Sequence, residues 1–373
     1  MEMDKQIDEV FELVLKNWMY GVCEKYGAED FAQLRESITT LMKQQLPLKF
    51  LLPAFPCKSP NVDHKVLGIS PDFVEVKAIE CLLKTLRQLE IIYEHGAKIV
   101  LMSDYHTFDQ YVGVDEENYN VYFAGLSEII NQLGGADVIE LICLSDFPHF
   151  AGTPTSLVST KLHDDFGDAD YEKNFDTRIA NDPMLMRRYR GMREFMKNDL
   201  AIALKGKGRK ETERHLKRVA TGMMVQGVAL DKFLRTQDYI TDYIRLSIHP
   251  HHPRTGKFCL DFFKDFKSHG RLLRDSQNFW GLVRYSINKG QSKKGLCRTR
   301  SEQVDYEHVV KTPWHSSIVF DSRRGEYKVD RRSEIVRSHQ DDHPDDCLVT
   351  VKYKDQEYMY LWINLAGKLN QNV

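Results

Sequence analysis

The chain has 373 residues, 42% hydrophobic and 28% charged, with a formal net charge of -2. That is ordinary globular composition, and the near-zero balance excludes a nucleic-acid binder that relies on bulk basic charge. No apolar run approaches the ~20 residues of a membrane span, so no membrane partner is expected.

The N-terminus, MEMDKQIDEVFELVL, is acidic and amphipathic, which fits neither a secretory signal nor an Arg-rich transit peptide. Apolar residues recur at helical spacing over 3–24 and 29–44 (Ile7, Val10, Phe11, Val14, then Phe31, Leu34, Ile38, Leu41), predicting a helical cap over 1–46. Leu48–Leu52 reads as a strand ending at Pro53. The loop after it, PAFPCKSPNVDHKVLGISPD, is long enough to be functional rather than a simple connection. A helix is expected over Phe73–His95 with Gly96 as its C-cap. Ala97–Met102 and Asp137–Leu144 read as buried strands, and between them a helix opens at Asp115-Glu116 and closes at Gly134-Gly135.

Strand, helix, strand, helix, strand at this spacing predicts a mostly parallel α/β sheet with crossover helices, whose ligands bind at the carboxyl ends of the strands. Lys58, Lys65, Asp104 and Asp146 follow strands and are therefore expected to face one crevice. Residues from about 164 to 242 form a charged, helix-rich insertion whose Arg and Lys runs read as solvated faces. The segment YIRLSIHPHHPRTGK (243–257) then gathers Arg245, Ser247, His249, His251, His252, Arg254 and Lys257. An arginine forks onto carboxylates or phosphates, and a histidine moves a proton near neutrality. Phe258–Phe263 reads as a strand. A β-rich extension over 321–373 follows, with hairpins turning at Arg324-Gly325 and Lys354-Asp355.

The 7 Cys form no CxxC pair, and a reducing cytoplasm is the default reading. GxGxxG after a strand, GxxxxGK[ST], HExxH and GxSxG are all absent, which disfavours the common cofactor and hydrolase sites. His249, His251 and His252 raise a metal, although no carboxylate or Cys accompanies them at ligand spacing. The acidic run Asp341–Asp346 reads as a solvated loop.

The strings LPAFPCKS (52–59), HKVLG (64–68), Pro71-Asp72, Ser103-Asp104, IRLSIHP (244–250) and TPWH (312–315) together resemble the isocyanide (isonitrile) synthases, the pyoverdine/dityrosine biosynthesis family. The resemblance runs in order from about residue 45 to about 320, and the catalytic domain it implies spans 47–320. It implies a Rossmann-like fold and an enzyme that needs no metal or nicotinamide cofactor. Such an enzyme condenses the α-amine of an amino acid, commonly Tyr or Trp, with the C2 ketone of ribulose 5-phosphate to leave an isonitrile.

Two anions must then be held close together, for which Lys58, Lys65, Arg245, Ser247 and Lys257 are the expected binding groups. His249, His315, Asp104 and Asp72 are the expected groups for proton transfer. Where the family often has Gly after the strand-end Asp, this chain has Tyr105-His106. The tail carries His339-Gln340-Asp341 and His343-Pro344-Asp345, but no later His completes an iron-binding triad. Oxidation of the product is therefore expected from a separate iron/2-oxoglutarate oxygenase. A sugar-phosphate lyase, or a non-catalytic sugar-phosphate or amino-acid binding protein, are the alternatives.

Overall fold

The computed structural model describes residues 2–19, 26–63, 65–249, 251–263 and 312–321, together with short strands at 282–283, 307–308, 326–330, 346–353 and 356–363. Cys23, His64, Pro250, Cys297, both expected hairpin turns, the H-x-D strings and residues 341–345 of the acidic run lie outside the described residues.

Two amphipathic helices open the chain, α1 (Glu2–Trp18) and α2 (Ala32–Lys43). The central elements are β1 (Leu48–Pro53), α3 (Phe73–Ile92), β2 (Ala97–Ser103), α4 (Tyr105–Val112), α5 (Glu116–Gln132) and β3 (Ile139–Cys143). The helical stretch follows as α6 (Thr155–Phe166), α7 (Ala169–Lys173), α8 (Phe175–Asn181), α9 (Pro183–Asp199), α10 (Arg209–Thr236) and α11 (Asp238–Thr241). The chain then returns to the sheet through β4 (Ile244–Ser247) and β5 (Phe258–Cys259). No helix among the described residues is long and apolar enough to cross a membrane.

The five strands pair in parallel in the order β3-β2-β1-β4-β5. This is a doubly wound order, and its reversal point lies between β1 and β4. The alternation of side chains along each strand explains the two layers. Phe50, Leu52, Ile99 and Leu101 point into one core with α1, α2, α3 and α5. Leu51, Val100 and Met102 point into the opposite core with α6 and α10. A third cluster, built from α4, α8, α9 and the first half of α10, stands over the carboxyl end of the sheet.

Several expected boundaries shift for local reasons. Asp72 caps α3 through Val74 N (2.9 Å) and Glu75 reciprocates to Asp72 N (2.8 Å), but the helix ends at Ile92. Gly96, at φ +64°, turns the chain into β2 rather than capping the helix. β3 is shorter than expected, with Glu140 exposed and Leu141–Cys143 half-buried, because it is an edge strand. The strand expected over Phe258–Phe263 is two residues long. Helix α4 is too short to show a clear period; it ends at Gly113, whose φ of +72° admits few other residues.

In the C-terminal part, short strands β6 (Leu282–Val283) and β7 (Glu307–His308) pair antiparallel. Strands β8 (Ser317–Asp321), β9 (Glu326–Asp330), β10 (Asp346–Tyr353) and β11 (Gln356–Ile363) form a sheet in the order β10-β11-β8-β9. Within it β8 with β9 and β10 with β11 are antiparallel neighbours.

Candidate active site

The loop leaving β1 carries the first site residues, and its course is forced. Phe55 is fully buried and takes φ +56°, a conformation costly for a bulky side chain. It is held there by packing against Phe262 and Trp314 (5.6 and 5.0 Å) and by Ser103 Oγ donating to its carbonyl (3.1 Å). The chain is thereby redirected so that Cys57, Lys58 and Ser59 pass beneath the TPWH segment. Ser59 N donates to the Trp314 carbonyl (2.9 Å) and Lys58 Nζ to that of Pro313 (3.2 Å).

Lys58 is not available to a ligand. Its ammonium is buried between Asp72 (3.0 Å) and Glu75 (2.8 Å), and Tyr122 Oη donates to the far oxygen of Glu75 (3.1 Å). Burial alone would lower the lysine pKa, but the two carboxylates outweigh it and raise it. Burial also raises both carboxyls, Glu75 to about 7, with Lys58 opposing and Asp72 adding repulsion. This cluster ties the β1 loop, the start of α3 and the TPWH segment together. Asp72 belongs to it as a helix cap and counter-ion, away from the open cleft.

Lys65 is equally committed. Its ammonium sits 2.6 Å from Asp199 Oδ1 and 4.0 Å over the Phe195 ring. Asp199 Oδ1 also accepts from Ser59 Oγ (2.5 Å), and Oδ2 lies 3.3 Å from His315 Nε2. Burial works against the Asp199 charge, yet Lys65 and His315 hold its carboxyl well below the usual range. His315 Nδ1 meets Thr312 Oγ1 at 3.1 Å. Both ring nitrogens are thus engaged, which fixes the orientation of the His315 ring in the cleft wall.

The open space at the reversal point is a cleft of two chambers. One is apolar, walled by Phe108, Val112, Met192, Phe195, Met196, Met223 and Trp314, with Ser59, Asp199 and His315 also lining it. The other is cationic, with Arg188, Arg245 and Lys257 facing Asp231, and Ser247 and His251 beside them. Asp104, Phe108, Ile248 and His249 line both.

Asp231 pairs with two of the chamber's cations, Lys257 at 2.5 Å and Arg245 at 3.1 Å, and with Arg235 outside it at 2.9 Å. Burial disfavours its charge too, but Lys257 and the arginines keep it well below the usual carboxylate range. Burial lowers the pKa of Arg188 to about 10 and also lowers those of Arg245 and Lys257. His251 is pushed down to about 3 by burial and then by Lys257 and Arg188, so it is neutral. Three cations against one fixed carboxylate, with the shared Asp104 at the border, leave room for an entering anion.

Asp104 occupies the seam. It follows β2 directly, and its Oδ1 is shut from solvent with no hydrogen-bond partner. Burial pushes its pKa up to about 7. A carboxyl near neutrality facing both chambers can take or give a proton at the pH of the cell. His249 stands beside it, its backbone N–H held by Ser247 Oγ (3.1 Å).

Of the sequence-derived residues, Asp104, Arg245, Ser247, His249, Lys257 and His315 come together in the cleft, whereas Lys58, Lys65 and Asp72 lie behind its wall. Asp146 is exposed and caps Cys143 N (2.7 Å). His251 lines the cationic chamber; His252 turns outward against Tyr26. The sequence reading missed Arg188, Asp199 and Asp231, all within helices taken for solvated. For the two aspartates the signal was an acid on an apolar helical stripe. Met192, Phe195, Met196 and Asp199 recur at i, i+3, i+4 and i+7, and Gly227, Leu230, Asp231 and Leu234 repeat the pattern.

A family model described as Pyoverdine/dityrosine biosynthesis protein matches residues 38–341. The chain is 27% identical over 244 residues to an L-tryptophan isonitrile synthase of Fischerella ambigua, covering 65% of this chain and 74% of that protein. It is 29% identical over 340 residues to a spore wall maturation protein of Saccharomyces cerevisiae, covering 83% of this chain but 58% of that one. An L-tyrosine isonitrile synthase of Pseudomonas aeruginosa is 29% identical over 213 residues, with 57% and 63% covered. The crystal structure of the PvcA protein from Pseudomonas aeruginosa shares the fold, with a TM-score of 0.70 over 96% of this chain and 99% of that chain at 20% identity.

Proposed function

Because the chain belongs to the pyoverdine/dityrosine biosynthesis protein family, we propose that it is an isonitrile synthase joining the α-amine of an amino acid to the C2 carbon of ribulose 5-phosphate. The observation that carries this reading is the two-chambered cleft. A condensation of two substrates needs one place for an amino-acid side chain, one for a phosphate, and a shared seam for the reacting atoms. The apolar chamber suits an aromatic side chain such as that of Tyr or Trp. The cationic chamber suits a phosphate and a carboxylate, with Arg245 and Arg188 as forks and Lys257 as a point charge.

Imine formation, enolisation, phosphate elimination and carbon–carbon cleavage each move a proton. Asp104 and His249 are assigned that work at the seam. Arg245 and Arg188 hold the anions, Lys257 completes their site, and Ser247 fixes the turn that presents His249. No cofactor enters the assignment, and oxidation of the product falls to a separate oxygenase.

The test is incubation of the protein with ribulose 5-phosphate and each of Tyr, Trp, Phe and Val, followed by mass spectrometry. An isonitrile product is the amino acid plus one carbon and minus two hydrogens. Sugar consumed without the amino acid would identify a lyase, and a thermal shift without any product would identify a binding protein.

A further inference from the structure

The apolar chamber has two polar ends. Asp104 and His249 form the end it shares with the cationic chamber; Ser59, Asp199 and His315 form an end it does not share. An α-amine that meets a ketone anchored through its phosphate has to lie at the shared end, and its carboxylate lies there with it. The side chain then runs past Phe108, Met192, Met196 and Met223 toward the unshared end. We infer that Asp199 reads the tip of that side chain, accepting a hydrogen bond from a donor on the ring, a phenol O–H or an indole N–H. This inference rests on the amino-acid reading of the cleft.

The carboxylate is built for such a task. Asp199 is 4% exposed, and Oδ1 is occupied by Ser59 Oγ (2.5 Å) and Lys65 Nζ (2.6 Å). Oδ2 faces His315 Nε2 at 3.3 Å, longer than an ordinary charged hydrogen bond, and a carboxylate oxygen accepts two hydrogen bonds. Lys65 and His315 keep the group charged and immobile, so it is a strong acceptor already oriented when a ligand arrives. A plain phenyl ring of the same shape leaves that capacity unused. The expected preference for the donor-bearing ring is about 10- to 100-fold in affinity or kcat/KM.

Titration calorimetry on the full chain tests this with three ligands that lack the amine and so report on the chamber regardless of turnover. 3-(4-Hydroxyphenyl)propionate is expected to bind at least about tenfold tighter than 3-phenylpropionate. The 4-methoxy analogue, which accepts but cannot donate, is expected to bind no tighter than the phenyl compound. Asp199→Asn should narrow the hydroxyl preference to within about threefold. Equal binding of the hydroxyl and phenyl ligands by the unaltered chain, tighter binding of the methoxy compound, or binding of none at millimolar concentration overturns the inference. The ligand series decides the matter even if Asp199→Asn fails to fold after Lys65 loses its counter-ion. Absence of isonitrile formation with every amino acid counts against the proposed function alone.

Discussion

Replacing Lys58 by Met separates a structural lysine from a phosphate-binding one. Lys58, Asp72 and Glu75 have side chains no more than 1% exposed, so removing the ammonium strands two buried carboxylates and leaves the Pro313 carbonyl without its donor. Breaking a buried ion pair by deleting one partner costs about 3–5 kcal/mol. With a urea slope of about 3 kcal/mol/M, the unfolding midpoint drops by about 1 M or more.

The deficit also depends on pH, with a definite sign. The Glu75 carboxyl is raised in the folded state to about 7. Its contribution is therefore present below its unfolded value, about 4.3, and is lost as pH rises through 7. Without Lys58 both carboxyls rise further, so the gap between the two proteins is widest above pH 7 and narrows toward pH 5 as Glu75 is neutralised. Urea unfolding followed by circular dichroism at pH 8 and pH 5.5 measures it. A loss under about 0.5 kcal/mol at pH 8, the size usual for an exposed surface residue, would refute the reasoning. So would a gap that is the same at both pH values.

Asp104→Asn should lower turnover by about 10²- to 10⁴-fold and abolish the limb of the pH–rate profile near 7. Because the Asp104 carboxyl is raised on folding, its favourable contribution is lost as pH rises through 7. The Asn variant should thus melt higher than the parent at pH 8; a lower melting temperature there counts against a buried, unpartnered carboxylate. Arg245→Ala should raise the apparent KM for ribulose 5-phosphate by at least about tenfold, as expected for a charged hydrogen bond, with little change in melting temperature. Steady-state kinetics checks this, and an unchanged KM argues against an anion site at Asp231 and its cations.

The sheet was legible because β1 and β2 are short apolar runs bounded by turn residues, and Asp72 with Glu75 marks the start of α3 in the sequence itself. The cluster from Arg245 to Lys257 was legible because its polar groups are neighbours along the chain. Lys58 and Lys65 misled for a physical reason: a lysine after a strand looks the same in sequence whether a ligand or a buried carboxylate answers it. Asp199 and Asp231 were hidden because the neighbours that give them meaning, Lys65 and His315 for one, Arg245 and Lys257 for the other, come from distant segments. α4 escaped because 8 residues hold too few turns to show a period.

The TPWH segment is tied to the β1 loop across 255 positions of sequence, and Ser317 Oγ reaches the Lys65 carbonyl (3.4 Å) across 252. The two chambers are therefore not finished together as a ribosome delivers the chain. Among the described residues, those lining the cationic chamber lie at or before Lys257, whereas the apolar chamber waits for Trp314 and His315. A growing chain thus has the parts of its cationic chamber in hand well before those of its apolar one.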